Sequence, residues 1–180
     1  QQCNLITFHG PMVLPNMISA FDLYSRDSFI AATRLKGELK FKNPPGKDMK
    51  SLIPGKGAGR LVGGNLSTLA TSIGTPYEID TRDKVLFLEE IGEVTYKIDR
   101  LLWQFKNAGK LEKVQGILLG SFDQCLPHHQ GHALLQEVFK DILGPLKIPT
   151  LYKIQVGHGH PTGTLPLGAY CQVDATNREV

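Results

Sequence analysis

Two apolar runs, KVLFLEEI at 84–91 and VQGILLGSF at 114–122, constrain this chain more than any other feature. Each is short and rich in branched or aromatic residues, the pattern of a buried β-strand. Between them, EVTYKIDRLLWQFKNAG (93–109) sets Tyr96, Ile98, Leu101, Leu102 and Phe105 on one broad helical face. Gly109 stands where a C-terminal cap belongs. Strand, helix and strand in this order argue for an α/β fold with parallel crossovers.

The alternation extends both ways. GRLVGGN (59–65) reads as a strand turning through two glycines, with a short helix, LSTLATSI, after Asn65. HALLQEVFKDILG (132–144) predicts a helix closed by Gly and Pro, and TLYKIQVGH (150–158) and LGAYCQVDA (167–175) predict strands. Upstream, NLITF (4–8) has the character of a short buried strand before His9-Gly10-Pro11, and 18–35 that of one helix or two. Residues 42–59, dense in Gly, Pro and Lys, are expected to be loop or domain junction. The opening QQCNLITFHGPM is neither a signal peptide nor an initiator-methionine start, so the 180 residues are expected to be a piece of a larger structure.

Composition excludes some functions. Twenty Lys and Arg against 17 Asp and Glu leave a formal charge of +3, too small and scattered to argue for nucleic acid. No apolar run approaches the roughly 20 residues of a membrane-spanning helix. Cys3, Cys125 and Cys171 are widely spaced, form no CxxC and lack basic neighbours. They read as packed, inert, reduced thiols, which suits a cytoplasmic protein.

Chemistry in parallel α/β sheets gathers just past the carboxyl ends of strands, and three segments have that position. Gly63-Gly64-Asn65 either exposes backbone N–H groups to an anion or simply permits a tight turn capped by Asn65. Glu89, Glu90 and Glu93 end the LFL strand. Neighbouring strand residues face opposite ways, so only one of Glu89 and Glu90 can serve a given cleft, while acids here also suit the next helix N-terminus. Gly157-His158-Gly159-His160-Pro161 offers a histidine in a permissive loop as a general base. A zinc site would need ligands beyond this His-x-His pair, and His128, His129 and His132 are better read as a solvated loop. Ser67, Ser72 and Ser121 are nucleophiles by type only, none lying in a G-x-S-x-G turn, with Ser121 the best placed. His9 either contributes to chemistry or positions backbone.

Taken in order, FHGPM (8–12), LVGGNLSTLATSIGTPYE (61–78), LFLEEIGEVTYKIDRLLWQFKNAG (86–109), GILLGSFDQC (116–125) and VGHGHPTGTLPLGA (156–169) resemble the LD-carboxypeptidase family of serine peptidases. That family includes muropeptide LD-carboxypeptidases and microcin C self-immunity peptidases. The resemblance implies a swivelling β/β/α-type C-terminal domain over 60–180, a linker over 41–59, and a remnant of an N-terminal α/β domain over 1–40. It implies a Ser-Glu-His triad with Glu89 as acid, Glu90 the competing choice, and His158 as base. The family serine precedes the HGP segment, so no position here matches it. Gly63, Gly64 and Asn65 correspond to a stretch near the cleft, hence candidate substrate-binding positions. The implied substrate is a muropeptide or other peptide, with the L,D bond to a terminal D-alanine cut during cell-wall recycling; peptide–nucleotide amide hydrolysis or a non-catalytic binding module is the alternative. No metal or organic cofactor is called for, and a homodimer is implied for the complete protein.

Overall fold

The computed structural model describes residues 3–18, 21–34, 37–126 and 134–180. Its strands are β1 (Thr7–His9), β2 (Lys50–Ile53), β3 (Lys56–Asn65), β4 (Lys84–Ile91), β5 (Gly116–Asp123), β6 (Thr150–Tyr152), β7 (Leu165–Leu167) and β8 (Tyr170–Asp174). Six of them form one sheet in the order β2-β6-β5-β4-β3-β8, while β1 and β7 pair separately. The central four, β3 to β6, are parallel, and β2 and β8 close the two edges antiparallel. Helices α2 (Leu66–Thr71), α3 (Thr95–Asn107) and α4 (Leu135–Leu143) lie on the connections between successive parallel strands, and α1 (Leu23–Thr33) follows β1. The α/β class follows from this order. Among the described residues no helix is long and apolar enough to cross a membrane.

The near-continuous apolarity of β4 and β5 has a direct cause. Side chains alternate across a strand, and here both sheet faces are covered. Leu86 and Leu88 pack with Ile98, Leu102, Phe105 and Ile142 on the helix side. Val85 and Phe87 pack with Leu61, Leu118, Leu151 and Val156 on the other. Each such side chain, fully buried, contributes roughly 1.5–3 kcal/mol. The same alternation carries on past the apolar residues and sends Glu89 to the second face and Glu90 to the first. Both are buried.

Several expectations need correction. Residues 42–59 are not all loop: β2 and the start of β3 lie within them. Tertiary packing overrides the composition there, because a Cβ on Gly57 would overlap the Gln115 carbonyl and one on Gly59 would lie 2.6 Å from the Asp83 carbonyl oxygen. Gly63 and Gly64 do not form a turn; they stay in the parallel ladder opposite Phe87 and Leu88, and α2 starts directly after Asn65. The N-terminal strand is shifted and exposed rather than buried, with Leu5, Ile6 and Phe8 all accessible. On α1 the buried positions are Ser25 and Ala32, not the larger apolar residues. Tyr96 leaves the buried face of α3, where Thr95 takes its place, and carries the Arg100 guanidinium 5.1 Å over its ring. The expected strand over 150–158 ends at Tyr152, where Lys153 turns left-handed (φ 60°), and 167–175 divides at Gly168 (φ 95°) into β7 and β8. Gly109 does follow α3 with φ 70°, as a cap position requires. His128, His129 and His132 fall outside the described residues.

Gly63 gives a test of this packing. Its φ is 140°, and an added Cβ would overlap the Phe87 carbonyl, whereas Gly64 at φ 146° has open space. Gly63→Ala is expected to cost about 3 kcal/mol or more and Gly64→Ala about 1–2, read from urea unfolding midpoints. Equal losses would contradict the ladder geometry.

Candidate active site

Glu89 ends the apolar run of β4 at the point where the β4–β5 register shifts, between the pairs Leu88–Leu119 and Glu90–Phe122. Its side chain is fully removed from solvent. Room for it comes from two missing side chains. A Cβ on Gly120 would stand 3.0 Å from the Glu89 Cβ, and one on Gly157 would stand 2.7 Å from Glu89 Oε2. Gly157 also has φ 129°, a conformation that other residues rarely adopt.

Beyond Gly157 the chain delivers His158, whose Nδ1 lies 2.8 Å from Glu89 Oε2. An ionised carboxylate can only accept, so with Glu89 ionised this contact requires the proton on Nδ1 and leaves Nε2 as the ring's acceptor. The His158 side chain is 27% accessible while Glu89 is at 0%, so the imidazole faces solvent and the carboxylate lies beneath it.

The loop bearing His158 is fastened from several directions. Ser121 Oγ accepts the Gly159 N–H at 3.2 Å and donates to the Val156 carbonyl at 3.2 Å. Ser25 and Ser28, three apart on one face of α1, accept the N–H groups of Thr162 and Thr164, each at 2.9 Å. Asn43 accepts the Gln155 N–H at 2.9 Å and donates to the Lys153 carbonyl at 2.7 Å. Sequence reasoning missed Ser25, Ser28 and Asn43. The paired serines at helical spacing were a visible signal, but their partners lie more than 130 residues away.

Glu90 has a different task. Its Oε2 accepts from the Ser67 N–H (2.8 Å) and hydroxyl (2.6 Å), and its Oε1 accepts from Asn65 Nδ2 (2.8 Å) and the Ile91 N–H (2.9 Å). Asn65 Oδ1 meanwhile caps α2 by accepting the Thr68 N–H at 3.0 Å. The anion expected at this strand-to-helix junction is therefore Glu90 itself, serving the preceding helix rather than the following one. Asn65 and Gly63 are committed to this junction and to the β4 backbone, and Gly64 alone of the three offers open space beside its Cα. Glu93 pairs with Lys97 at 2.9 Å.

The remaining candidates separate. His160 Nε2 lies 3.5 Å from Asp22 Oδ2, so the two histidines of the His-x-His step turn to different carboxylates. Ser67 donates to Glu90, Ser72 to the Leu69 carbonyl and Ser121 to the Val156 carbonyl. None of these three hydroxyls donates to a histidine. Burial pushes the Cys125 thiol up to about 11 and the Cys171 thiol to about 12, so both stay protonated at neutral pH. Cys3 is exposed, against the expectation that all three cysteines are packed.

Comparison with known proteins identifies the family. Residues 58–173, more than half of the chain, match the model of the LD-carboxypeptidase C-terminal domain. The chain belongs to the LD-carboxypeptidase family. It is 38% identical over 180 residues to a probable murein peptide carboxypeptidase of Bacillus subtilis, covering 99% of this chain and 56% of that protein. It is 32% identical over 111 residues to the murein tetrapeptide carboxypeptidase of Pseudomonas aeruginosa, covering 61% of this chain and 36% of that one. The structure of MccF in complex with glutamyl sulfamoyl guanosine superimposes with a TM-score of 0.85 at 25% identity, covering 97% of this chain and 60% of that chain. The chain thus spans a little over half the length of the Bacillus relative.

Glu90 yields a pH-dependent prediction. Burial pushes its carboxyl up, but the Ser67 hydroxyl, the Ile91 N–H, the Asn65 amide and the Ser67 N–H outweigh burial and hold it below the usual carboxylate range. A depressed folded pKa stabilises the fold above the unfolded value of about 4.3, and that contribution is lost as pH falls through the folded value. Glu90→Gln is expected to cost about 2–3 kcal/mol at pH 7, with the deficit shrinking below roughly pH 4 as the wild-type carboxyl protonates. Urea unfolding at the two pH values reads it; a deficit constant with pH would contradict the role.

Proposed function

We propose that Glu89 and His158 are the acid and base of a Ser-Glu-His triad that cleaves the L,D peptide bond to a terminal D-alanine of murein tetrapeptides. The nucleophilic serine is supplied from outside these 180 residues. The observation that carries this reading is the 2.8 Å contact between the solvent-facing imidazole and the fully buried carboxylate. The engagement of Ser67, Ser72 and Ser121 elsewhere supports an external nucleophile. The names of the Bacillus and Pseudomonas relatives support the substrate class.

In this mechanism His158 Nε2 takes the serine proton as the serine oxygen attacks the carbonyl carbon of the L,D bond. Glu89 holds the Nδ1 proton and balances the imidazolium that forms. His158 then returns its proton to the departing D-alanine amine, leaving an acyl-enzyme. Water, deprotonated by the same nitrogen, hydrolyses the ester. No step calls for a metal or organic cofactor. The reaction fits cell-wall recycling by a cytoplasmic homodimer.

D-alanine release from a murein tetrapeptide tests this reading. The 180-residue chain alone is expected to release none. A longer protein containing these residues is expected to release it, with Glu89→Gln and His158→Gln each lowering kcat by roughly 10³-fold or more at little change in KM. Turnover by the 180-residue chain alone, or retention of full kcat in either variant, would sink the proposal. The likeness to MccF bound to glutamyl sulfamoyl guanosine favours peptide–nucleotide amides as a second substrate class. Strong competition by that compound in the D-alanine assay would move the reading there. Tetrapeptide binding without turnover, unchanged in both variants, would instead mark a binding module.

A further inference from the structure

Glu89 has two oxygens, and the acid–base pair accounts for one. Oε2 lies against His158, while Oε1 is buried and has no hydrogen-bond partner among the described residues. Leaving a carboxylate oxygen dry and unpaired costs a fold heavily. The group facing it is His9 at the end of β1, whose Nε2 lies 3.8 Å from Oε1. That is about 0.8 Å beyond hydrogen-bond length. The His9 ring is held against Phe87, edge to face, with centroids 5.1 Å apart. Its backbone is held by pairing of His9 with Leu165, just after the loop that carries His158. One carboxylate therefore sits between two imidazoles, each delivered by a separately anchored segment.

We propose that His9 is a positioning residue: its Nε2–H is the donor to Glu89 Oε1, and it fixes the carboxylate so that Oε2 stays aimed at His158 Nδ1. The inference rests on the reading of Glu89 and His158 as the acid–base pair, and deepens it. His9 acts as a neutral donor rather than a cation. Burial lowers its pKa, Glu89 opposes this, His158 adds to the lowering, and the net direction is downward. A neutral imidazole with its proton on Nε2 satisfies Oε1 without placing a positive charge beside His158. That matters in the reaction, since a cation at His9 would repel the imidazolium that His158 must become. Among the described residues, Glu89 and His158 are the charged groups that act on His9, and the next histidine of the loop turns elsewhere. His160 faces Asp22, and Asp22 caps α1 by accepting from the Ser25 N–H and hydroxyl.

Nitrogen-15 and proton NMR of the ring N–H groups in the 180-residue chain tests this. The wild type is expected to show His9 as the Nε2–H tautomer and a His158 Nδ1–H signal that disappears in Glu89→Gln. His9→Phe keeps the ring packing on Phe87 but removes the donor; the His158 Nδ1–H should then exchange with water about tenfold faster. His9→Gln keeps an N–H donor and should return exchange to within about threefold of wild type. His158→Gln leaves His9 untouched, and the His9 ring should then titrate at higher pH. A His158 signal that depends on Glu89 but is equally affected, or unaffected, by the two His9 variants overturns the role of His9 alone. Absence of the Glu89-dependent His158 signal in the wild type overturns the acid–base pair and this inference with it.

Discussion

A carboxylate with no access to solvent, bonded at 2.8 Å to an imidazole that does reach solvent, is the interaction on which the rest of this structure depends. A buried carboxylate is tolerated only when its surroundings supply partners, and the fold brings one imidazole to 2.8 Å of Oε2 and a second to 3.8 Å of Oε1. The parallel strand β4 carries Glu89 to the edge of the core. Gly120 and Gly157 give up side chains so that two further segments approach the carboxyl group. The loop beyond Gly157 then places His158 over it, fastened by Ser121, Ser25, Ser28 and Asn43. Each of these residues contributes one or two modest hydrogen bonds, and their combined effect is orientation rather than bulk stability.

The adjacent pair Glu89-Glu90 illustrates how a two-residue step in a strand divides labour. Both are buried acids, one residue apart, on opposite faces of the same sheet. On the helix face Glu90 meets four donors and closes the junction between β3 and α2. On the other face Glu89 meets imidazoles. The chemistry of each follows from its partners, not from the residue type, and strand alternation is what assigns the partners.

Much of this was legible beforehand. The apolar runs at 84–91 and 114–122 predicted parallel strands because both sheet faces are covered, and alternation said that Glu89 and Glu90 must part. The glycines at 63 and 64 misled. They looked like a turn, but Gly63 is needed because the Phe87 carbonyl occupies the space of a side chain. Composition likewise hid β2 and the start of β3 among Gly, Pro and Lys, since close backbone approach is a tertiary demand. The seats of Ser25, Ser28 and Asn43 were beyond reach for a related reason: each holds a segment more than 100 residues distant, and no local pattern encodes such a partner.

On this geometry the Glu89 carboxylate dictates which nitrogen of His158 carries the proton. Nitrogen-15 chemical shifts of the His158 ring in the neutral form measure this directly. A protonated Nδ1 and a bare Nε2 are expected in the wild type, with that preference lost in Glu89→Gln. A proton found on Nε2 in the wild type, or the same tautomer ratio with and without the Glu89 carboxylate, would contradict it.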